Sequence, residues 1–280
     1  LTERIGFWLD LKNPYITYKS DYIETLWWIL KEAYKKGLLC EDYKVTAYCP
    51  RCGTSLSSHE VALGYQRIKE PSIYVKFKLR NTKYESQNTY LLVWTTTPWT
   101  LPGNVAIAVN PNFDYVKLKF ENEILILAKE RIEASGLKGE ILEEFKGEKI
   151  IGEEYEPLFP QKINFKSPVA IYKVLPADFV TLEEGTGLVH IAPAFGEEDM
   201  ELIKMQNAKL KMQNEPEFPI LMTVDLEGKM ITPGYEWNGL FVKDTDSAII
   251  NDLQKRNLLL KVELYEHDYP FCWRCHSPLL

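Results

Sequence analysis

The chain has 280 residues, of which 45% are apolar and 26% are charged, and its formal net charge is −7. This composition is typical of a soluble globular protein. The acidic balance argues against a general nucleic-acid binder, although it leaves room for RNA contact through a local patch. No segment reaches the ~20 apolar residues of a membrane helix, and the N-terminus lacks the pattern of a signal peptide. Because the sequence begins at Leu1 without Met and stops in mid-pattern at Leu280, we expect a piece of a longer protein.

Helical and strand patterns occupy different parts of the chain. Residues 21–36 are predicted to form a helix with one buried apolar face, made by Ile23, Trp27, Leu30 and Tyr34. From residue 72 the apolar period falls from 3.6 to 2, which predicts a half-buried antiparallel strand over residues 72–80. Turn residues separate the other predicted strands, at 45–48, 90–94, 105–109, 113–120, 123–128, 168–175 and 187–192. Helices are predicted again at about 129–135, 197–212 and 244–257.

Many short strands with few helices predict an α+β fold that is mainly β, in the form of a β-barrel-like body with peripheral helices. We expect three parts. Residues 1–70 form an N-terminal base, residues 71–257 form the β-rich body, and residues 258–280 return to the base.

Four of the five cysteines form two CxxC pairs, Cys49 with Cys52 and Cys272 with Cys275. Two such knuckles supply the four thiolates of a tetrahedral zinc site, which would be structural because a closed site has no open position. The alternatives are that the two CxxC pairs are independent of each other, or that one of them is redox-active. The pairs favour a reduced, cytosolic protein over a disulfide framework. Cys40 is predicted to be a buried thiol, and His59 and His276 are weaker candidate ligands.

Residues 94–104 form a hydroxyl-rich segment at the end of a predicted strand. Thr95 and Thr97 would share one face and Thr96 the other if strand geometry persists. Two hydroxyls on one face can hold a polar substrate or position a water, but they are too weakly basic to act as strong bases. The alternative is a strand end whose hydroxyls bind local backbone. Pro98, Pro102 and Gly103 favour a fixed binding loop.

A second segment, residues 185–199, carries His190 near the end of a predicted strand and then opens a helix. Glu197, Glu198 and Asp199 lie in the first turn of that helix, where acidic residues complement the helix dipole. The functional alternative is that one carboxylate faces a pocket and binds an ammonium group. His190, taken alone, is more often a packed core residue than a catalytic one.

These segments together resemble the editing domain, or connective peptide, of class I aminoacyl-tRNA synthetases, most closely the isoleucyl type. The resemblance covers essentially the whole chain. It is carried by residues 94–104, by residues 185–199 and by the two cysteine flanks at 48–65 and 269–276. The valyl and leucyl relatives typically have Arg-Pro where Thr97-Pro98 stands. The His-x-Gly-His and Lys-Met-Ser-Lys-Ser motifs of the aminoacylation core do not occur in this sequence.

The resemblance implies hydrolysis of valine wrongly attached to isoleucine-specific tRNA, without ATP or Mg²⁺. One methylene contributes only ~1–3 kcal/mol to selection, a general value for which this synthetase family is the standard example, so a second site removes the smaller product. Asp199 would bind the α-ammonium group and His190 would line the side-chain pocket, while the threonines contact the substrate and place water. The implied catalytic set is Thr95, Thr97, Asn104, His190 and Asp199, and the implied substrate-binding set is Thr95, Thr96, Thr97, His190 and Asp199.

The resemblance also implies partners and a location. The partners are the 3′ end of mischarged tRNA and the remainder of a parent isoleucine-tRNA ligase. The fragment is expected to be a cytoplasmic monomer that does not bind membranes. Two alternatives stay open: a zinc-containing tRNA-binding module without catalysis, and an editing domain of the valyl or leucyl type.

Overall fold

A computed structural model describes residues 1–80, 88–160 and 171–280. The described residues form two compact units, Leu1–Lys44 and Val45–Leu280. The predicted division at residues 70 and 257 concerns the roles of segments and stays a prediction. No helix in the described ranges is long and apolar enough to cross a membrane.

The first unit contains one helix, α1 (Ser20–Lys35). The predicted helix is therefore confirmed, but its predicted buried face is wrong. Ile23, Trp27 and Tyr34 expose 41%, 66% and 69% of their surface, and Leu30 is only half-buried. The physical reason is that residues 1–44, all of them described, offer no second helix or strand against which the apolar stripe could pack.

The second unit is mainly β, with three α-helices and four short 3₁₀ segments among its described residues. Its strands are β1 (Tyr48–Cys49), β2 (Thr54–Ser55), β3 (Tyr65–Lys78), β4 (Asn88–Thr95), β5 (Ala106–Val109), β6 (Asp114–Phe120), β7 (Glu123–Ala128), β8 (Glu140–Lys146), β9 (Lys173–Pro176), β10 (Leu188–Ile191) and β11 (Leu259–Pro270). Its helices are α2 (Ser58–Ala62), α3 (Glu197–Met212) and α4 (Asp246–Lys255). The 3₁₀ segments are Pro98–Gly103, Lys129–Arg131, Gly147–Ile150 and Val242–Asp244.

The strands form a six-stranded sheet in the order β11-β3-β4-β7-β6-β8, a three-stranded sheet β10-β5-β9 and the small pair β1-β2. The α+β, mainly β class is confirmed, but the sheets are open. Each order ends in two different edge strands, so neither large sheet closes into a barrel within the described residues. The reason lies in the pairing: β5, β9 and β10 pair with one another and make a separate sheet instead of extending the first one.

One hydrophobic core joins the two large sheets. It contains Leu91 and Val93 from β4, Ile107 from β5 and Leu188 from β10, all at most 2% exposed. Burial of these apolar side chains, at roughly 25 cal/mol per Å² of apolar area, is the main force that holds the strands together. The core therefore fixes the ends of β4 and β10, which carry the candidate site.

Several predicted elements differ in their bounds. The strand predicted at 45–48 is wrong for residues 45–47, and the observed strand is the two-residue β1, which pairs only with the equally short β2. The helix predicted at 244–257 is observed as Asp246–Lys255. The helix predicted at about 129–135 is only the 3₁₀ turn Lys129–Arg131. Of the strand predicted at 168–175, the structure has Lys173–Pro176, and residues 168–170 lie outside the described residues.

Candidate functional site

The threonine-rich segment forms a connected cluster of hydroxyls where β4 ends. Thr97 precedes the 3₁₀ segment Pro98–Gly103 as its N-cap residue. The Thr97 backbone N–H donates to Thr95 Oγ1 at 3.1 Å, and the two side-chain oxygens are 3.4 Å apart. Thr97 Oγ1 lies 3.2 Å from Thr100 Oγ1. β4 ends at Thr95, so the strand geometry on which the predicted shared face of Thr95 and Thr97 depends does not persist. Local hydrogen bonds nevertheless bring these two side chains together, and Thr96 between them is half-buried.

Thr100 connects this cluster to His190. Its Oγ1 lies 3.0 Å from His190 Nε2, and it also donates to the backbone oxygen of Thr97 at 2.8 Å. A hydroxyl has one hydrogen to donate, so the imidazole is the donor in this pair when that hydrogen is directed to the Thr97 oxygen. With that assignment, neutral His190 is the Nε2–H tautomer; in either tautomer, Nδ1 has no hydrogen-bond partner in the described residues. Burial lowers the pKa of His190 to about 4, so the ring is neutral at pH 7.

Asp199 is fixed at the end of the strand that carries His190. It lies in the first turn of α3, and its Oδ2 accepts the backbone N–H of Ala192 at 2.8 Å. A Cβ on Gly196 would lie 2.8 Å from the Asp199 carboxyl carbon, so glycine gives the carboxylate room to fold back over the helix start. Burial, together with the neighbouring charge of Glu198, raises the pKa of Asp199 to about 6, although the Ala192 bond acts in the opposite direction. At pH 7 the group is mostly ionised.

Asn104 is a structural bridge in its observed contacts. It is buried, its amide Nδ2 donates to the backbone oxygen of Ala106 at 2.8 Å, and Oδ1 accepts the hydroxyl of Tyr155 at 2.7 Å. A longer contact of 3.5 Å joins Nδ2 to the backbone oxygen of Ile191. These bonds tie the start of β5 to the end of β10, so Asn104 supports the strands that carry the site. A direct role in the reaction stays a prediction.

The four cysteines of the two CxxC pairs lie together, although 219 residues separate the pairs. Their sulfur atoms are all within 4.8 Å of one another, and the Sγ atoms of Cys49 and Cys275 are 3.5 Å apart. A tetrahedral zinc with bonds of about 2.3 Å requires sulfurs ~3.8 Å apart. The predicted convergence is confirmed, and the geometry fits a metal ion. Cys40 is exposed, so its predicted burial is wrong; it lies in the small first unit, which buries little surface.

The electrostatics of the cluster also fit a cation. Hydrogen bonding to Ser277 lowers the pKa of Cys275 to about 6, whereas hydrogen bonds with the Cys275 and Cys49 thiols raise the pKa of Cys52 to about 12. The crowded thiols therefore resist simultaneous ionisation. A bound dication offsets this mutual repulsion and holds all four as thiolates.

Comparison with known proteins agrees with these observations. The family model for tRNA synthetases class I (I, L, M and V) matches residues 1–217. The chain belongs to this synthetase family. Isoleucine–tRNA ligases from Clostridium tetani and Thermus thermophilus are 48% and 46% identical to it, each over 100% of the chain and over 26% and 25% of their own lengths. The chain thus spans about a quarter of the length of these synthetases.

The fold of this class I synthetase segment is shared with solved structures. The GlLeuRS-CP1 crystal structure has a TM-score of 0.55 at 17% identity, over 69% of this chain and 98% of its own. The Plasmodium falciparum cytosolic leucyl-tRNA synthetase editing domain has a TM-score of 0.53 at 12% identity, over 69% of this chain and 99% of its own. At these identities the likeness concerns the fold alone.

Sequence reasoning missed two residues that organise this synthetase site. Thr100 bridges the hydroxyl cluster to His190. Thr100 lies three positions after Thr97, which is the spacing of one 3₁₀ turn and brings their side chains together. The two prolines in this segment argued against a helix, so the spacing was not used. Tyr155 anchors Asn104 from a distant segment, and no local pattern indicates that contact.

Proposed function

We propose that this chain is the editing domain of an isoleucyl-type synthetase and hydrolyses the aminoacyl ester of Val-tRNA(Ile). The observation that carries the proposal is the 3.0 Å contact between Thr100 and His190. It joins two segments 90 residues apart, each of which resembles an editing motif. Asp199 accepts the backbone N–H of Ala192, two residues after His190, so the carboxylate is fixed at the end of the strand that carries the imidazole.

Asp199 binds the α-ammonium group of the misattached amino acid in this proposal. Its Oδ2 is committed to Ala192, and Oδ1 would accept an ammonium hydrogen. The partly buried carboxylate is poorly compensated, as its raised pKa indicates. A cationic ligand would restore a favourable charge balance by a charge-assisted hydrogen bond.

His190 and Thr100 line the pocket that selects the amino-acid side chain. The hydrogen bond between them and the burial of the ring fix the imidazole in one orientation. A rigid wall discriminates by size because a larger side chain must displace packed atoms, which costs more than the gain from burying one methylene. Valine would enter and isoleucine would be excluded.

The reaction is hydrolysis by a positioned water. The water oxygen attacks the ester carbonyl carbon, the bond to the ribose oxygen breaks, and the proton passes to that ribose oxygen, leaving valine and the free 3′ end of the tRNA. Thr95, Thr96 and Thr97 would orient water and substrate, with a neighbouring ribose hydroxyl assisting. His190 is a weak base because burial lowers its pKa to about 4. The protein therefore supplies positioning and electrostatic stabilisation.

Zinc is the metal that the four thiols favour. Cys49, Cys52, Cys272 and Cys275 would hold it as a closed structural site that ties β1 to the segment after β11. Its contribution would be to the folding free energy.

The proposed partners are the mischarged 3′ end of tRNA and the rest of a cytoplasmic parent synthetase. We also propose three functional parts of the chain: a base at residues 1–70, an editing body at 71–257 and a C-terminal return at 258–280.

A paired-ligand experiment tests the proposal. One ligand is a non-hydrolysable valyl-adenosine analogue, and the other is its isovaleryl counterpart, which lacks only the α-amino group. The protein should bind the valyl analogue at least tenfold more tightly, and Asp199→Asn should remove that preference. Glu197→Gln, an exposed acid in the same helix turn, is the matched control and should keep it. Equal binding of the two ligands by the unmodified chain would contradict the proposal.

A further inference from the structure

We propose that Asp246 is a positioning residue for the threonine cluster, because it holds the start of the 3₁₀ segment on which Thr100 lies. This inference rests on the proposed editing function. Asp246 is in the first turn of α4, and its Oδ1 accepts the backbone N–H of Trp99 at 3.1 Å. The two residues are 147 positions apart in the chain.

The contact gives a hydrogen-bond partner to a backbone N–H at the start of the 3₁₀ segment Pro98–Gly103. The first N–H groups of any helix lack partners within the helix. Here Pro98 occupies the first turn and has no N–H, and the N-cap residue Thr97 makes no side-chain cap. Trp99 therefore provides the first donor, and the cap comes from another element of the fold.

The position of this cap matters for the hydroxyls on both sides of it. Thr97 precedes the capped residue by two positions, and Thr100 follows it directly. Thr100 Oγ1 contacts both Thr97 Oγ1 and His190 Nε2, at 3.2 and 3.0 Å. A shift of the Trp99 backbone would move this whole arrangement, and displacements of about 1 Å in a reaction geometry can cost 10²-fold in rate.

A cluster of charged and titratable groups from three elements is coupled electrostatically to Asp246. Lys243, on the adjacent 3₁₀ segment, binds both carboxylate oxygens of Glu70 on β3, at 2.9 and 2.8 Å. His267 and Tyr269 on β11 complete the cluster: His267 Nε2 lies 3.6 Å from Glu70, and the Tyr269 ring lies 3.8 Å from Lys243. Lys243 and Glu70 act on Asp246 by their charges, and Tyr269 interacts with it electrostatically.

Burial raises the pKa of Asp246 to about 7, with Glu70 adding to the rise and Lys243 and the Trp99 N–H opposing it. The ionised carboxylate is the stronger acceptor for the Trp99 N–H. The site should therefore become better ordered as pH rises through about 7.

Kinetic variants test the positioning role in the 280-residue chain. Asp246→Ala should lower the first-order rate of Val-tRNA(Ile) deacylation by about 10- to 100-fold, with a smaller change in KM, because Asp199, which binds the ammonium group, is held by Ala192 and not by this cap. Asp246→Asn keeps an oxygen acceptor and should recover most of the rate. It should also lose the rise in rate near pH 7. Asp252→Ala, on the same helix but paired with Arg256, is the control and should behave like the unmodified chain. An Asp246→Ala rate equal to this control would overturn the inference.

A backbone signal gives a readout that does not depend on activity. Labelling with ¹⁵N-tryptophan yields one backbone amide signal for each of the seven tryptophans, and Trp99→Phe identifies the relevant one. That signal should shift with pH around 7 in the unmodified chain and stay constant in Asp246→Asn. A signal that titrates equally in both would overturn the inference. If the unmodified chain does not deacylate Val-tRNA(Ile), the proposed function fails, while the amide signal still decides whether Asp246 holds Trp99.

Discussion

Replacing Asp199 with Asn should stabilise the fold at neutral pH while it removes ammonium binding. Asn keeps the shape of the side chain and an oxygen that can accept the Ala192 N–H. What it removes is the charge, and burial makes that charge unfavourable in the free protein, as the pKa of about 6 indicates. A substrate-binding group is expected to carry such a cost, because its partner is missing until the ligand arrives.

The magnitude follows from the two pKa values. The difference between the ordinary 3.8 and about 6 corresponds to about 3 kcal/mol of unfolding free energy at pH 7. Asp199 is only half-buried, and the start of α3 favours a carboxylate by ~0.5 kcal/mol, so we expect a gain of about 1–2 kcal/mol in Asp199→Asn. The pKa is raised on folding, so the folded state retains its proton more strongly. The unmodified chain is therefore relatively stable below about pH 4, and it loses that stability as pH rises to about 6.

Urea unfolding followed by circular dichroism at pH 4 and pH 7 measures this gain. The Asp199→Asn variant should exceed the unmodified chain at pH 7 and approach it at pH 4, where Asp199 is largely protonated. Glu197→Gln, in the same turn but exposed, should show no comparable gain. A gain of the same size at both pH values, or no gain at pH 7, would refute the reasoning.

Three further predictions concern other parts of the molecule. His190→Ala should enlarge the side-chain pocket, so the ratio of Val-tRNA(Ile) to Ile-tRNA(Ile) deacylation rates should fall, and an unchanged ratio would remove His190 from the size selection. Metal analysis should find about one zinc per chain, lost in Cys272→Ser but kept in Cys40→Ser; retention in the first variant would contradict a four-thiolate site. Asn104→Ala should lower the unfolding free energy by about 2–3 kcal/mol, because Tyr155 and a backbone oxygen lose a buried partner, and urea unfolding with no loss would contradict the bridging role.

Local sequence patterns predicted the helices and strands whose ends are marked within their own segment. Helix 197–212 is observed as Glu197–Met212, and the strand predicted at 123–128 is observed as Glu123–Ala128. Both are marked at their starts: Gly196 and three acidic residues precede or open the helix, and the turn at Glu121-Asn122 precedes the strand. In contrast, the helix predicted near 129–135 shrinks to Lys129–Arg131, because no long apolar face supports it.

Long-range features were predictable only where a chemical pattern marked them. Two CxxC pairs 219 residues apart indicated one cluster because four thiols suit one tetrahedral ion, and the sulfur atoms do converge. No sequence pattern indicates the hydrogen bond between Asp246 and the Trp99 N–H, because an acidic residue in the first turn of a helix ordinarily complements the dipole of its own helix. The open arrangement of the sheets was also hidden, because the sequence does not say that β5 pairs with β9 and β10.

The exposed stripe of α1 marks another limit of local patterns. Amphipathic spacing predicts that a face is apolar, but it does not say which surface covers it. Trp27 and Tyr34 are exposed in a unit of 44 residues, and the synthetases that the chain resembles are about four times as long as the segment they share with it.

Deacylation of charged tRNA tests the central claim most directly. The 280-residue chain would be incubated with Val-tRNA(Ile) and Ile-tRNA(Ile) in parallel, and the remaining ester followed over time, with Asp199→Ala as the inactive reference and Glu197→Gln as the active one. We predict rapid loss of the valyl ester, spontaneous loss only of the isoleucyl ester, and no acceleration by Asp199→Ala. Equal hydrolysis of both esters, or full activity in Asp199→Ala, would contradict the account.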